Sequence, residues 1–77
     1  MIMNVYEEKE KFVEHELLIL CKKISPDVLN LRYERNQNGE ESVTIYWLLP
    51  DKRTHKKIVN VTADSLRSLA RDVIMYI

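Results

Sequence analysis

The sequence between residues 28 and 49 decides the fold, and it reads VLNLRYERNQNGEESVTIYWLL. Apolar and polar side chains alternate on both sides of Asn38-Gly39. Such alternation predicts two half-buried strands, which we place at Val28–Arg35 and Ser42–Leu49. Because Asn-Gly between two alternating runs is a strong signal for a tight turn, the two strands are expected to form an antiparallel hairpin.

The length of the hairpin loop sets which residues face each other. A two-residue turn at Asn38-Gly39 would place the alternating apolar residues of the first strand and those of the second strand on opposite faces of the sheet. A loop of residues 37–39 with Gly39 left-handed keeps the sets together, and a slip of one residue would move every side chain to the other face. We therefore expect this bulged loop and the following pairs: Tyr33 with Val43, Leu31 with Ile45, Leu29 with Trp47, and Arg35 with Glu41.

A helix is predicted before the hairpin, from about Val5 to Lys23. Asn4 suits the N-cap position, and Ser25-Pro26 ends the helix because proline disfavours a helical conformation in the residue before it. At about 100° per residue, one stripe of this helix is apolar and should face the core, with Cys21 at its edge. The residues of that stripe are Tyr6, Val13, Leu17, Leu20 and Ile24.

A third strand and a second helix are predicted after the hairpin. The strand covers about Lys56–Val61, with Val59 and Val61 directed to the core. The helix begins near Ala63 with Thr62 as its N-cap and extends to near the C-terminus. Its inward stripe is Leu66, Leu69, Ala70, Val73 and Ile77. The expected fold is therefore α+β: residues 1–77 form one small domain of two layers, in the order α-β-β-β-α, with a three-stranded antiparallel meander and both helices on one face.

Composition narrows the class of protein. The 77 residues include 12 basic and 12 acidic side chains, 45% apolar residues and one cysteine. A single cysteine excludes an intrachain disulfide framework, and the longest apolar run, Leu17–Cys21, is far shorter than the ~20 residues that span a bilayer. No basic stretch leads into an apolar run at the N-terminus, so we expect no secretory signal and a cytoplasmic domain without membrane contact.

The sequence does not predict that potential catalytic or metal-binding residues lie close together. His15 falls on the opposite side of the first helix from Cys21, and His55 lies in a basic segment. With one glycine in the chain, a glycine-rich phosphate loop is excluded. We therefore expect no enzyme activity, no metal site and no cofactor.

Two apolar surfaces are candidates for binding another protein. Both helices are expected on one face of the sheet, so an aromatic and two aliphatic side chains should be exposed together on the other face: Tyr46, Leu48 and Ile58. The first helix carries a further apolar line of residues seven apart, which packs against the second helix or forms a seam with another subunit: Val5, Phe12 and Ile19. The leading expectation is a protein-interaction module that self-associates as a homodimer.

The alternative expectation is a nucleic-acid-binding module. Residues 50–61 carry four cations against one acid, whereas residues 1–21 carry five Glu against two Lys. Closely spaced cations bind phosphate by releasing counterions. The residues of this alternative site, at the basic loop and on the open sheet face, are Arg32, Lys52, Arg53, His55, Lys56 and Lys57.

The order helix, three strands, helix resembles the double-stranded-RNA-binding domain over most of the chain. That family contacts RNA through a histidine-bearing loop between its first two strands and through lysines at the start of its last helix. Here the first loop is residues 36–41 (NQNGEE), and the last helix opens with residues 62–65 (TADS). The resemblance therefore implies the order of the elements and no function.

Overall fold

The computed structural model describes residues 4–77 and shows the α+β order expected from the sequence. The first helix consists of Val5–Lys11, a π-helical segment Phe12–Leu17, and Leu18–Ile24. Three strands follow, β1 (Val28–Arg35), β2 (Glu41–Leu48) and β3 (Thr54–Asn60), and the second helix is Leu66–Ile74. The strands form one antiparallel sheet in the order β1-β2-β3. The predicted meander is confirmed.

The hairpin has the predicted register along most of its length. Tyr33 pairs with Val43, Leu31 with Ile45, and Arg35 with Glu41. Gly39 has a φ of 82°, a left-handed conformation that glycine adopts at little cost. The Asn36 amide donates to the Glu40 carbonyl at 2.9 Å, which closes the loop of residues 37–39. The bulged loop is therefore confirmed.

The register prediction is wrong at the start of β1. Val28, not Leu29, pairs with Trp47, and a bulge lies between Val28 and Asn30. Leu29 is the extra residue of this bulge, so it leaves the core and is exposed. Val28 takes its place among the fully buried side chains.

The first helix begins at Asn4 as predicted, with the Asn4 side chain accepting a hydrogen bond from the Glu7 amide at 2.8 Å. Its predicted apolar stripe is only partly right. Leu20 and Ile24 are exposed, whereas Cys21 is fully buried.

The π-helical segment explains this difference. Its i→i+5 hydrogen bonds make a wider turn that advances by less than 100° per residue. Residues four apart therefore stay on one face, and Val13, Leu17 and Cys21 are all in the core. In the predicted line of residues seven apart, Val5 and Ile19 are exposed, and Phe12 is half-buried against the core.

The second helix begins later than predicted. Ser65, not Thr62, is its N-cap, and the Ser65 hydroxyl accepts from the Ser68 amide at 3.2 Å. The Thr62 hydroxyl instead accepts from the Glu41 amide at 2.9 Å, which fastens the preceding loop to β2. Leu69 and Val73 are buried as predicted, while Leu66 at the first turn is exposed.

A single hydrophobic core lies between the helices and one face of the sheet. The sheet contributes its inward-facing residues, and the two helices contribute theirs. The buried apolar residues of the sheet and of the strand ends are Val28, Leu31, Tyr33, Val43, Ile45, Val59 and Val61. No helix within residues 4–77 has the length and apolar character needed to cross a membrane.

Candidate interaction surface

The face of the sheet that points away from the core carries three apolar side chains: Tyr46 is half-buried, and Leu48 and Ile58 are exposed. We call this surface the outer face. Tyr46 and Leu48 of β2 point to it, because strand residues alternate between the two faces and the side chains of Ile45 and Trp47 point to the core. Ile58 of β3 pairs with Thr44 and lies on the same side. The structure thus places together the three outer-face residues that the sequence predicted.

The bulge in β1 adds a fourth apolar residue near this surface. Leu29 lines a shallow hollow of about 280 Å³ with Asn30, Arg32, Tyr46 and Thr54. Sequence reasoning assigned Leu29 to the core because it fits the alternation with Leu31. The alternation in residues 28–35 contained no signal for the extra residue.

Cross-strand packing makes the centre of the outer face dense. Thr44 is buried although it points away from the core, because Arg32 and Ile58 flank it on the two neighbouring strands. Ile58 itself is 61% exposed. Around this centre the charges are few: Arg32 Nε lies 3.3 Å from Glu34 Oε1, and Lys56 is the β3 cation on this side of the sheet. The result is an apolar centre with a polar rim.

The predicted nucleic-acid residues are divided between two sides of the sheet. Lys56 shares the outer face with Arg32, but strand alternation directs His55 and Lys57 to the side of the helices. There the His55 ring lies 5.5 Å from the Trp47 ring, and Lys57 Nζ lies 5.1 Å from the centre of the Tyr76 ring.

The two remaining basic residues lie in the β2–β3 connection. Lys52 occupies the turn with a φ of 70°, and Arg53 Nε is 2.5 Å from Asp51 Oδ2. The six predicted residues are thus distributed over both faces of the sheet and the β2–β3 connection.

The predicted line on the first helix gives a smaller surface. Phe12 lines a shallow depression with Leu66 of the second helix, as expected for packing between the helices. Val5 and Ile19 are exposed, and neither lines this depression.

A buried polar cluster, which the sequence reasoning missed, lies under the start of β2. Lys9 Nζ and Glu41 Oε1 are 2.7 Å apart, and both side chains are almost fully buried. The Tyr33 hydroxyl donates to the same Glu41 oxygen at 2.5 Å, and the Ala63 amide donates to Glu41 Oε2 at 2.9 Å. A signal existed in the sequence: position 41 has the same parity as the inward-facing Val43 and Ile45.

The electrostatics of this cluster follow from its burial and its hydrogen bonds. Burial opposes ionisation of Glu41, but the bonds from Lys9, Tyr33 and Ala63 outweigh burial, so the pKa of Glu41 is lowered. Burial and the Glu41 carboxylate raise the pKa of Tyr33. Both oxygens of the Glu41 carboxylate accept hydrogen bonds, so the arrangement can fix the loop before the second helix.

A pair of carboxyl groups lies close to this cluster. Asp72 beside Asp64 raises the pKa of Asp64, and burial adds to the effect. Asp64 Oδ2 is buried, and no donor among residues 4–77 bonds to it. In the described part of the chain, no three His, Cys, Asp or Glu side chains are placed to hold a metal ion together.

Comparison with known proteins finds no matching family model, no matching curated protein and no matching solved structure.

Proposed function

We propose that this chain is a small, non-enzymatic protein-interaction module that self-associates through its outer face. The observation that supports the proposal is the position of Tyr46, Leu48 and Ile58, which are together on the side of the sheet opposite both helices. Contiguous exposed apolar side chains with a polar rim are typical of protein-binding surfaces.

The charges on the outer face favour a second copy of the chain as the occupant. Arg32 and Glu34 neutralise each other within one copy, which leaves Lys56 as the remaining charge near the apolar centre. Two such faces can approach without strong mutual repulsion. Because a two-fold dimer uses the same patch on both subunits, this near-neutrality applies to both sides of the interface.

The size of the outer face sets the expected strength of the dimer. With strands about 4.8 Å apart and a rise of about 3.3 Å per residue, three strands of seven or eight residues cover an area of about 14 by 25 Å. This is less than half of the ~800 Å² per partner that stable complexes bury. The proposal therefore predicts a weak, reversible dimer with a dissociation constant in the micromolar range or above.

The cytoplasm is the compartment we assign to this module. Cys21 is a buried free thiol, and the burial raises its pKa to about 11. An unpaired, unreactive cysteine fits a reducing compartment.

The experiment that tests the proposal is the solution mass of the chain by sedimentation equilibrium from micromolar to millimolar concentration. The parent chain should pass from monomer to dimer, and Ile58→Glu should remain a folded monomer. Leu20→Glu is the matched control, since Leu20 is also an exposed aliphatic residue but lies on the first helix, on the other side of the sheet. A parent chain that stays monomeric, or an Ile58→Glu variant that still dimerises, would overturn the proposal.

Titration with single-stranded and duplex RNA distinguishes the proposed function from the alternative, nucleic-acid binding. The proposed module should bind neither at moderate salt. Binding that weakens by decades as salt rises, and that is lost in Lys56→Glu, would replace the proposed function by nucleic-acid recognition.

A further inference from the structure

Within residues 4–77, the outer edge of β1 carries backbone groups that no neighbouring strand pairs. In an antiparallel sheet, successive residues of an edge strand bond alternately to the neighbour and to the outside. The closing bond between Asn36 and Glu40 shows that residues 32 and 34 bond to β2. The N–H and C=O groups of Leu31, Tyr33 and Arg35 are therefore directed to the open edge.

One of these open groups is occupied by a side chain of the first helix. The Tyr33 amide donates to Glu14 Oε2 at 3.3 Å. Glu14 comes from the π-helical segment, where the wider turn changes which residues face the sheet. Between this segment and β1 lies a cleft of about 460 Å³, with Glu10 and Glu14 on the side of the helix.

We propose that the β1 edge is a pairing site for β1 of a second copy, and that Glu14 holds it closed in the single chain. In the pairing we infer, the two β1 strands run antiparallel about a two-fold axis at Tyr33. Each Tyr33 then exchanges two backbone hydrogen bonds with the other, and Leu31 of one copy does the same with Arg35 of the other. All the open groups of both strands are paired in this register.

Charge complementarity supports this register over its neighbours. With Tyr33 at the axis, Arg32 of each copy lies directly opposite Glu34 of the other. In the single chain these two side chains bond to each other at 3.3 Å, so both already lie on the same face of β1. Directly opposed charges of opposite sign stabilise a strand pair, and charges of like sign destabilise it. A shift of two residues in either direction would break both of these cross-strand pairs.

The edge pairing is independent of the outer face, so its test is carried out with the outer face disabled. In an Ile58→Glu background, Glu14→Ala frees the Tyr33 amide, and we expect a dimer by sedimentation equilibrium. Glu16→Ala is the matched control: it removes the same charge from the exposed side of the same helix and should leave a monomer. A folded Glu14→Ala variant that remains monomeric at millimolar concentration would overturn the proposal.

Exchange of the two charges tests the register. In the background that carries both Ile58→Glu and Glu14→Ala, Arg32→Glu places like charges opposite each other and should weaken the dimer by about tenfold. Adding Glu34→Arg to that variant should restore the dimer. Failure of the exchange to restore it, or growth into higher oligomers, would contradict the two-fold pairing.

If Glu14→Ala does not fold, Glu14→Gln tests the same proposal. Its amide oxygen accepts hydrogen bonds more weakly than a carboxylate, so it should shift the equilibrium towards the dimer by a smaller amount.

Discussion

Lys9 and Glu41 are 32 residues apart in the sequence, yet Lys9 Nζ and Glu41 Oε1 are 2.7 Å apart in a buried ion pair. The pair connects the first helix to the start of β2. The Tyr33 hydroxyl and the Ala63 amide complete the hydrogen bonds of the carboxylate, so β1 and the loop before the second helix are joined at the same point. The relative placement of four segments of the chain therefore depends on one carboxylate.

Removal of the Glu41 carboxylate is expected to be strongly destabilising. Glu41→Ala leaves the Lys9 ammonium buried without its partner, a change that costs about 3–5 kcal/mol. Glu40→Ala removes the same charge from the neighbouring exposed position and should change stability by less than about 0.5 kcal/mol. Urea unfolding measures both, and equal losses in the two variants would contradict this role of the ion pair.

The same carboxylate makes stability fall on the acid side. Burial alone would raise the pKa of Glu41, but its hydrogen bonds lower it from the ordinary value of 4.5. A carboxyl group with a lowered folded pKa contributes stability that is present above pH 4.5 and is lost as the pH falls through the lower folded value. Urea midpoints measured from neutral pH downwards should decrease below pH 4.5, and the decrease should be smaller in Glu41→Gln.

Asp64 should have the opposite effect of Glu41 on the pH dependence of folding stability. The neighbouring Asp72 and burial raise its pKa above 3.8, so the folded state holds this proton more tightly than the unfolded state. This contribution is favourable below pH 3.8 and is lost as the pH rises through the raised folded value. Asp64→Asn removes the repulsion between the two carboxylates and should stabilise the protein at pH 7 by up to about 1 kcal/mol. Asp27→Asn, at an exposed position, is the control and should have no comparable effect.

The hairpin was predictable because two local signals agree. The alternation in residues 28–49 defines an inner and an outer face, and Gly39 is the one residue that adopts the left-handed turn without strain. A two-residue turn at Asn38-Gly39 would slip the register by one residue and place apolar residues on both faces. For the same reason the shared outer face of Tyr46, Leu48 and Ile58 followed from the sequence.

The departures arise where tertiary packing overrides a local pattern. The predicted burial was based on the period of a regular helix and of a regular strand. The π-helical segment and the bulge at Leu29 change those periods, and neither needs a glycine or proline that would reveal it in the sequence. Thr62 is a good N-cap by type, but the Glu41 amide binds its hydroxyl instead. The burial of Lys9 depends on a partner 32 residues away, so no sequence window around Lys9 contains the signal.

The environment of Cys21 predicts a slow thiol. The side chain is fully buried, and desolvation of the thiolate raises its pKa to about 11. Since the thiolate is the reactive form, a chromogenic disulfide reagent at pH 8 should react only through opening of the core. The reaction rate should rise with urea in parallel with unfolding, and the fully denatured chain should react at once. Rapid reaction of the native protein at low urea would show that the first helix opens locally at this point.

The backbone at Ala63 gives the last prediction. Ala63 has a φ of 61°, a left-handed conformation that costs an L-residue with a side chain about 1–2 kcal/mol. The hydrogen bond from its amide to Glu41 Oε2 helps to hold this conformation. Ala63→Gly removes the steric cost and keeps the amide, but glycine also increases the conformational freedom of the unfolded chain, so the expected net gain is up to about 1 kcal/mol.

Ala70→Gly is the matched substitution for this prediction, because Ala70 lies within the second helix and glycine there costs about 1 kcal/mol. Urea unfolding should therefore place Ala63→Gly at or above the parent and Ala70→Gly below it. If both variants lost stability equally, the left-handed residue would contribute no strain. The loop that the Lys9–Glu41 pair anchors would then be relaxed rather than held in place.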